Sequence, residues 1–234
     1  MEAIVLAGGL GPRLTSRLHG VPKVMAPVAG RPFLEILLTQ LRRAGCTSLQ
    51  LSVGHLRDVI MDHFGSSFQG MPIDYVIETV PLGTGGAIRF ALESAEEDAV
   101  LVLNGDTFLD ADYAGMMRFH REEQASVTIA VVHQPDLARY GGVAVANRRV
   151  VAFQEKGRSG PGWISAGAYV FDRNLQWPPS LPERFSIEKD LFVPGIVRLA
   201  PAAYEVSGYF LDIGVPEDLD RAQTELPRLL ASRP

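Results

Sequence analysis

Apolar positions along the first half of the chain alternate between two rhythms. Residues 2–7 form a short apolar run ending in Gly8-Gly9-Leu10-Gly11-Pro12, the pattern of a buried strand entering a glycine-rich loop. Phe33, Ile36, Leu37, Leu41 and Ala44 recur at helical spacing, with Pro32 suited to the helix start and Gly45 to its stop. A strand at 49–53 follows, then a helix with Val59, Ile60 and Phe64 on one face, a strand at 73–77 and a helix at 86–95. Residues 99–103 are an unbroken apolar run closed by Asn104-Gly105-Asp106, and 112–124 suits another helix. This alternation implies βαβ crossovers and a mostly parallel sheet covered on both faces, with a site at its carboxyl edge.

After Ser126 the pattern changes to closely spaced strands at 127–132, 142–146, 150–154 and 164–171, which predict a mixed extension of the sheet or a lid. Pro178-Pro179 and Pro182 mark a loop, and Pro216 opens an amphipathic helix over 217–230. The expected fold class is α/β: a Rossmann-like, mostly parallel mixed sheet flanked by helices, with a small β-rich extension and all of 1–234 in one domain.

Composition narrows the partners. Of 234 residues, 47% are hydrophobic and 21% charged, the balance of a compact globular chain rather than a disordered or fibrous one. The net charge of −5 should repel nucleic acid and acidic membranes, so any phosphate must be held locally. The single cysteine, Cys46, cannot form an internal disulfide and reads as a small buried hydrophobe. The N-terminus lacks a basic leader, and no apolar run approaches the ~20 residues that span a bilayer. A soluble protein in a reducing cytoplasm is expected.

The first loop suggests chemistry. Glycines at 8, 9 and 11 let backbone N–H groups approach an anion, with Arg13 and Lys23 nearby; the same residues would also serve a tight strand-to-helix turn with solvated bases. A dinucleotide fingerprint is excluded because position 14 is Leu where a third glycine or alanine is needed, and no acidic residue ends a second strand. No Gly-Lys pair exists for a Walker loop, and no Gly-x-Ser-x-Gly for a serine hydrolase. Histidines 19, 55, 63, 120 and 133 form no close pair of zinc-ligand type. Asp106, just past an apolar strand, sits where divalent metals bridge phosphates, unless it only caps the next helix; Asp212 repeats that pattern after Tyr209-Phe210-Leu211. Two carboxylates suffice for Mg²⁺, which leaves its other positions to water and phosphate oxygens.

Leu6-Ala7-Gly8-Gly9-Leu10-Gly11-Pro12-Arg13-Leu14, Pro22-Lys23, Pro81-Leu82-Gly83-Thr84-Gly85-Gly86-Ala87, Asn104-Gly105-Asp106, Glu155-Lys156, Ser165-Ala166-Gly167 and Asp212-Ile213-Gly214 together resemble the sugar-1-phosphate nucleotidyltransferase family from residue 2 to about 220. The 81–87 segment is most similar to guanylyltransferases for manno-configured sugars, above all those acting on D-glycero-α-D-manno-heptose 1-phosphate. The resemblance implies a nucleotidyltransferase fold, with 1–125 as nucleotide-binding half and 126–234 as sugar-binding half plus C-terminal helix. It also implies attack of the sugar-1-phosphate oxygen on the α-phosphorus of a nucleoside triphosphate, GTP by similarity, displacing pyrophosphate in line. The nucleophile is already an anion, so no general base is demanded and the motifs contain no histidine.

By resemblance, Leu6, Gly8, Gly9 and Gly11 hold the nucleotide, Arg13 meets the triphosphate, Lys23 the phosphates around the reacting centre, and Asp106 and Asp212 hold Mg²⁺. Glu78, Gly83 and Thr84 would lie along base and ribose, Glu155 would accept sugar hydroxyls, Lys156 would grip the sugar phosphate, and Gly142 and Ser165 would line the sugar pocket. Taken alone, Glu155-Lys156 also reads as an exposed strand-end ion pair.

The chain departs from the family at Pro12, where Thr is usual and a hydroxyl and an N–H are lost, at Val24 after Pro22-Lys23, and at Ser165 in place of Asn. No repeat domain is expected after 220, and a homo-oligomer is compatible with the sequence. The rival enzymes are uridylyltransferases and mannose-1-phosphate guanylyltransferases. A catalytically silent sugar-nucleotide-binding subunit should have lost phosphate or metal residues, yet Arg13, Lys23, Asp106 and Asp212 are all present.

Overall fold

The computed structural model describes every residue except Leu10, Pro12, His19 and 232–234, and omits the side chains of Thr15 and Ser16. Pro12, the departure noted in the first loop, therefore lies outside the described residues, as do Leu10 and His19.

The first half alternates as its pattern predicts: β1 (Glu2–Leu6), α1 (Thr15–Leu18), a 3₁₀ turn (Lys23–Met25), the short pair β2 (Pro27–Val28) and β3 (Arg31–Pro32), α2 (Phe33–Arg43), β4 (Ser48–Val53) and α3 (Arg57–Phe64). Then come β5 (Ser67–Phe68), β6 (Met71–Ile77), α4 (Gly83–Leu92), β7 (Ala99–Asn104), β8 (Thr107–Leu109) and α5 (Tyr113–Glu122). Of the predicted face of α3, Ile60 and Phe64 are buried but Val59 is 37% exposed.

α4 starts at Gly83, earlier than apolar periodicity indicates, because its glycines seat another segment. A Cβ at Gly83 would lie 2.6 Å from the Phe185 carbonyl oxygen, at Gly85 2.2 Å from the Phe185 ring, and at Gly86 2.4 Å from the Glu183 carbonyl oxygen.

The later strands are β9 (Val127–Gln134), β10 (Gly142–Ala146), β11 (Arg149–Gln154) and β12 (Gly162–Asp172), followed by a π-helical turn (Ile187–Phe192), α6 (Val193–Leu199), β13 (Ala202–Val206), β14 (Phe210–Asp212) and α7 (Pro216–Ala231). They form no separate lid. Ten strands share one sheet in the order β10-β11-β13-β9-β12-β7-β1-β4-β6-β5. Strands β7, β1, β4 and β6 run parallel, and β12 joins antiparallel to both β7 and β9, so the extension grows from the edge of the parallel block.

Both faces are covered, which is why β1 and β7 read as near-continuous apolar runs; β4 alternates, and its buried polar side chains are bonded, Gln50 to Glu2 and Ser52 to Glu78. Ala3, Val5, Leu101 and Leu103 pack towards α2, α3 and α5, while Ile4, Val100 and Val102 pack towards α4, the π turn and α6. A third cluster joins Leu14, Phe33 and Phe108 to Leu219, Ala222 and Leu226 of α7. Cys46 is fully buried, as expected of a small hydrophobe. Among the described residues, no helix is long and apolar enough to cross a membrane.

His120 on α5 is 2% exposed, with Nδ1 2.8 Å from Thr128 Oγ1 and Nε2 3.2 Å from Asp172 Oδ1. Burial lowers its pKa below the ordinary value by more than the Asp172 bond and charge raise it. An unfolded chain takes up this proton at about pH 6.5, before the folded ring does. Stability is therefore complete above that pH and falls as pH drops through it towards the lower folded value. We expect His120→Gln to be less stable than wild type at about pH 7.5 but to lose less on moving to about pH 5.5. Urea midpoints at the two pH values check this, and equal losses in both proteins would exclude the ring as the source.

Candidate active site

Two parallel strand ends build the centre of the site. Gly105 donates its N–H to the Leu6 carbonyl oxygen at 2.9 Å, and a Cβ there would come within 2.6 Å of that oxygen. Only glycine lets the exits of β1 and β7 lie this close. The next residue, Asp106, accepts a hydrogen bond from Lys23 Nζ at 2.5 Å through Oδ2 and one from Thr107 Oγ1 at 3.2 Å through Oδ1. Gly11, at φ +52°, wraps so tightly that a Cβ would meet Lys23 Cβ at 3.0 Å.

The second carboxylate arrives from more than a hundred residues away in sequence. β14 pairs antiparallel with β8, opposing Asp212 to Thr107, and Ile213 N–H donates to the Asp106 carbonyl oxygen at 3.0 Å. Asp212 Oδ1 accepts from Gly214 N–H at 2.6 Å and lies 3.9 Å from Lys23 Nζ. Burial first, and then the charge of Asp106, raise the Asp212 pKa; Lys23 and the Gly214 amide oppose this without cancelling it. Two carboxylates around a single ammonium therefore leave negative charge that a divalent cation would relieve. No cluster of three or more His, Cys, Asp or Glu side chains among the described residues could enclose a metal, so the residues fit an ion that completes its coordination with phosphate and water.

Three cavities line the carboxyl edge. The central one, about 490 Å³, is bordered by Gly9, Gly11, Arg13, Lys23, Asp106 and Asp212. A second, about 340 Å³, is bordered by Asn104, Thr107, Glu155, Ser165 and Tyr169; Tyr140, Lys156 and Asp212 line both of these cavities. The third, about 280 Å³, lies beside Gly8, Gly54, Arg57, Glu78 and Pro81.

Other predicted residues serve the framework. Glu78 accepts from Ser52 Oγ at 2.9 Å and from Leu82 N–H at 3.1 Å, so its carboxylate ties down the loop before α4 while its residue borders the third cavity. Gly83 faces the Phe185 backbone, and Thr84 Oγ1 accepts from Ile187 N–H at 3.0 Å; neither lines these three cavities. Gly142 is covered by Gln154 and Leu137, and Gly141 lines the second cavity instead. Leu6 takes part through its backbone. Among the described residues, no ion pair joins exposed Glu155 to Lys156. Ser165 reaches the cavity through a bulge: the β9–β12 register shifts between Ser165 and Tyr169, where Gly167 takes φ +68° against Asn104.

Sequence reasoning missed Glu188, which lines the second cavity. Burial raises its pKa, while the Ser165 hydroxyl and the charges of Lys156 and Lys189 pull it down. A capping pattern could have revealed its turn. Ser186 Oγ accepts from Lys189 N–H at 3.3 Å and Asp190 Oδ2 accepts from Ser186 N–H at 2.7 Å, but the wider π turn moves the acid from the third to the fourth position.

The sheet-edge glycine loop, the Lys23-Asp106-Asp212 cluster and the β-rich extension define a nucleotide-handling enzyme. The profile of the Nucleotidyl transferase family matches residues 2–228, and the chain belongs to that family. It is 38% identical over 226 residues to the D-glycero-alpha-D-manno-heptose 1-phosphate guanylyltransferase of Aneurinibacillus thermoaerophilus, covering 97% of this chain and 98% of that protein. It is 37% identical to the mannose-1-phosphate guanylyltransferase of Mycobacterium tuberculosis, across all of this chain and 67% of that protein. The crystal structure of HddC from Yersinia pseudotuberculosis matches with TM-score 0.86 and 33% identity, covering 96% of this chain and 99% of that one. Its complex with GMP-PN matches with TM-score 0.84, the same identity and the same coverage.

Asp106 is held at a sheet end with a part-exposed side chain, so Asp106→Asn should keep the thermal midpoint within a few degrees. We expect kcat to fall by roughly two orders of magnitude or more, since one charge at a reacting phosphate is worth several kcal/mol in the transition state. Steady-state kinetics beside a melting curve tests both halves.

Proposed function

We propose that the chain transfers GMP from GTP to D-glycero-α-D-manno-heptose 1-phosphate, giving the GDP-sugar and pyrophosphate. The observation that carries this reading is the meeting of the central and second cavities at Lys156 and Asp212, beside Lys23 and Asp106. A sugar phosphate entering from one side and a triphosphate from the other would present nucleophile and leaving group in line. The near-full-length similarity to a heptose 1-phosphate guanylyltransferase, and the GMP-PN complex of HddC, support the choice of sugar and base.

In this reading residues 1–125 supply the nucleotide side and 126–234 most of the sugar side. The Gly8, Gly9 and Gly11 backbone amides and Arg13 take the triphosphate, and Lys23 meets the charge that grows on the phosphate oxygens as the α-phosphorus is attacked. Asp106 and Asp212 would hold Mg²⁺, which when bound draws electron density from phosphate oxygens. Lys156 grips the sugar phosphate. Glu155, Glu188 and Ser165 take the sugar hydroxyls, and the two carboxylates, being acceptors, favour a neutral polyol over an acidic sugar. No proton is removed from the nucleophile, because a phosphate oxygen is already charged.

A pyrophosphate-release screen of four nucleoside triphosphates against a panel of sugar 1-phosphates should give its highest kcat/KM with GTP and the heptose 1-phosphate. Preference for UTP or dTTP would overturn the guanine assignment, and preference for mannose 1-phosphate the heptose assignment. Glu188→Ala should raise KM for the sugar 1-phosphate about tenfold, the worth of a hydrogen bond to a charged group, and leave KM for GTP unchanged.

A further inference from the structure

One cation of the central cavity was not anticipated from the sequence. Arg139 lies in the 135–141 loop between β9 and β10, has a side chain 52% exposed, and lines the same cavity as Arg13 and Lys23. Its guanidinium is aimed by Asp218 in the first turn of α7, whose side chain is only 2% exposed. One donor from each terminal nitrogen engages Asp218, at 2.5 Å to Oδ2 and 3.4 Å to Oδ1. An arginine carries five N–H donors, so three remain. Among the described residues, none of these three has a protein partner.

Asp218 has a second cationic partner that turns away from the cavity. Arg221, one turn further along α7, donates to Asp218 Oδ1 at 3.1 Å, but its Nε and Nη2 are taken by Glu225, each at 3.1 Å, and it does not line the central cavity. Of the two arginines on this buried carboxylate, Arg139 is the one presented to the cavity with spare donors. A planar fork with unused N–H groups suits phosphate, which it can grip through two oxygens.

The loop carrying Arg139 is fastened to the loop carrying Lys156. Leu137 N–H donates to the Gly160 carbonyl oxygen at 2.9 Å, and Gly160 N–H donates to Asp136 Oδ1 at 3.1 Å. The Leu137 side chain fills the space that a Cβ on Gly162 would occupy, 2.7 Å away. Arg139 and Lys156 are therefore held in one fastened pair of loops, and Tyr140, next to Arg139, lines both cavities. We propose that Arg139, positioned by Asp218, binds the phosphate of the sugar 1-phosphate together with Lys156. Arg139 is then a substrate-binding residue and Asp218 a positioning residue.

The proposal deepens the reading of the reaction above and rests on it. Kinetics should use whichever nucleotide and sugar 1-phosphate pair the wild type turns over fastest. A pair other than GTP and heptose 1-phosphate overturns only the substrate assignment, and the comparison of variants still decides Arg139. Arg139→Met should raise KM for the sugar 1-phosphate about tenfold or more, as loss of a charge-assisted bond does, with KM for the nucleotide within about twofold of wild type. Arg139→Lys should show a smaller rise, because it keeps charge and loses the fork; if Arg139→Met does not fold, this variant decides. Asp218→Asn should raise the same KM, and the double variant should be no worse than Arg139→Met alone. Arg221→Met, which disturbs the same buried acid away from the cavity, should lower the melting temperature and leave both KM values unchanged. A rise in nucleotide KM instead, no change in either KM, or an equal effect from Arg221→Met would overturn the proposal.

Discussion

The centre of the site depends on one ammonium shared between two carboxylates. Lys23 answers Asp106 at hydrogen-bond distance and Asp212 only at 3.9 Å, while burial first and the Asp106 charge second raise the Asp212 pKa. The cluster is paired enough to persist in the folded chain and unbalanced enough to favour a cation arriving with an anionic ligand. Everything around it serves to hold two like charges together: Gly105 locks the exits of β1 and β7, the glycine loop closes over Lys23, and β14 delivers Asp212 beside Thr107.

What was legible in the sequence was what short-range chemistry decides. The apolar runs of β1 and β7 are buried on both faces, so their patterns were unmistakable, and Asp106 follows directly from the end of such a run. The ribbon of β8 and β14 was half legible: Tyr209-Phe210-Leu211 marked the approach to Asp212, but the pairing of the two strands left no mark, since strands of three residues have no periodicity to detect. Glu188 was hidden because a π turn shifts its capping acid by one position. Arg139 was hidden for a different reason: it looks like any loop arginine until α7 brings Asp218 across a sequence separation of 79 residues.

The glycines of 83–86, placed along base and ribose by resemblance, have a second task in the fold. They accept the 183–187 segment, with Thr84 and the glycine amides bonded to its backbone, so that α4 and the segment leading to Glu188 pack directly on one another. The first half of the chain thereby fixes the position of a carboxylate carried by the second.

The two carboxylates beside Lys23 differ in how each is tied to the frame. Asp106 lies in the turn that leads from β7, flanked in the sheet by β1 on one side and β12 on the other, into β8, and is anchored to the middle of the ten-stranded sheet from its N-terminal side. Asp212 ends a two-stranded ribbon outside that sheet, held by three residue pairs to β8, by Ile213 N–H on the Asp106 carbonyl oxygen and by the buried Leu211 and Ile213 on either side of it. One carboxylate is thus cast into the frame and the other is carried to it on a separate strip. That strip is fastened to the backbone of Asp106 itself, so the spacing of the two carboxylates is set by bonds between their own segments and not by the sheet alone.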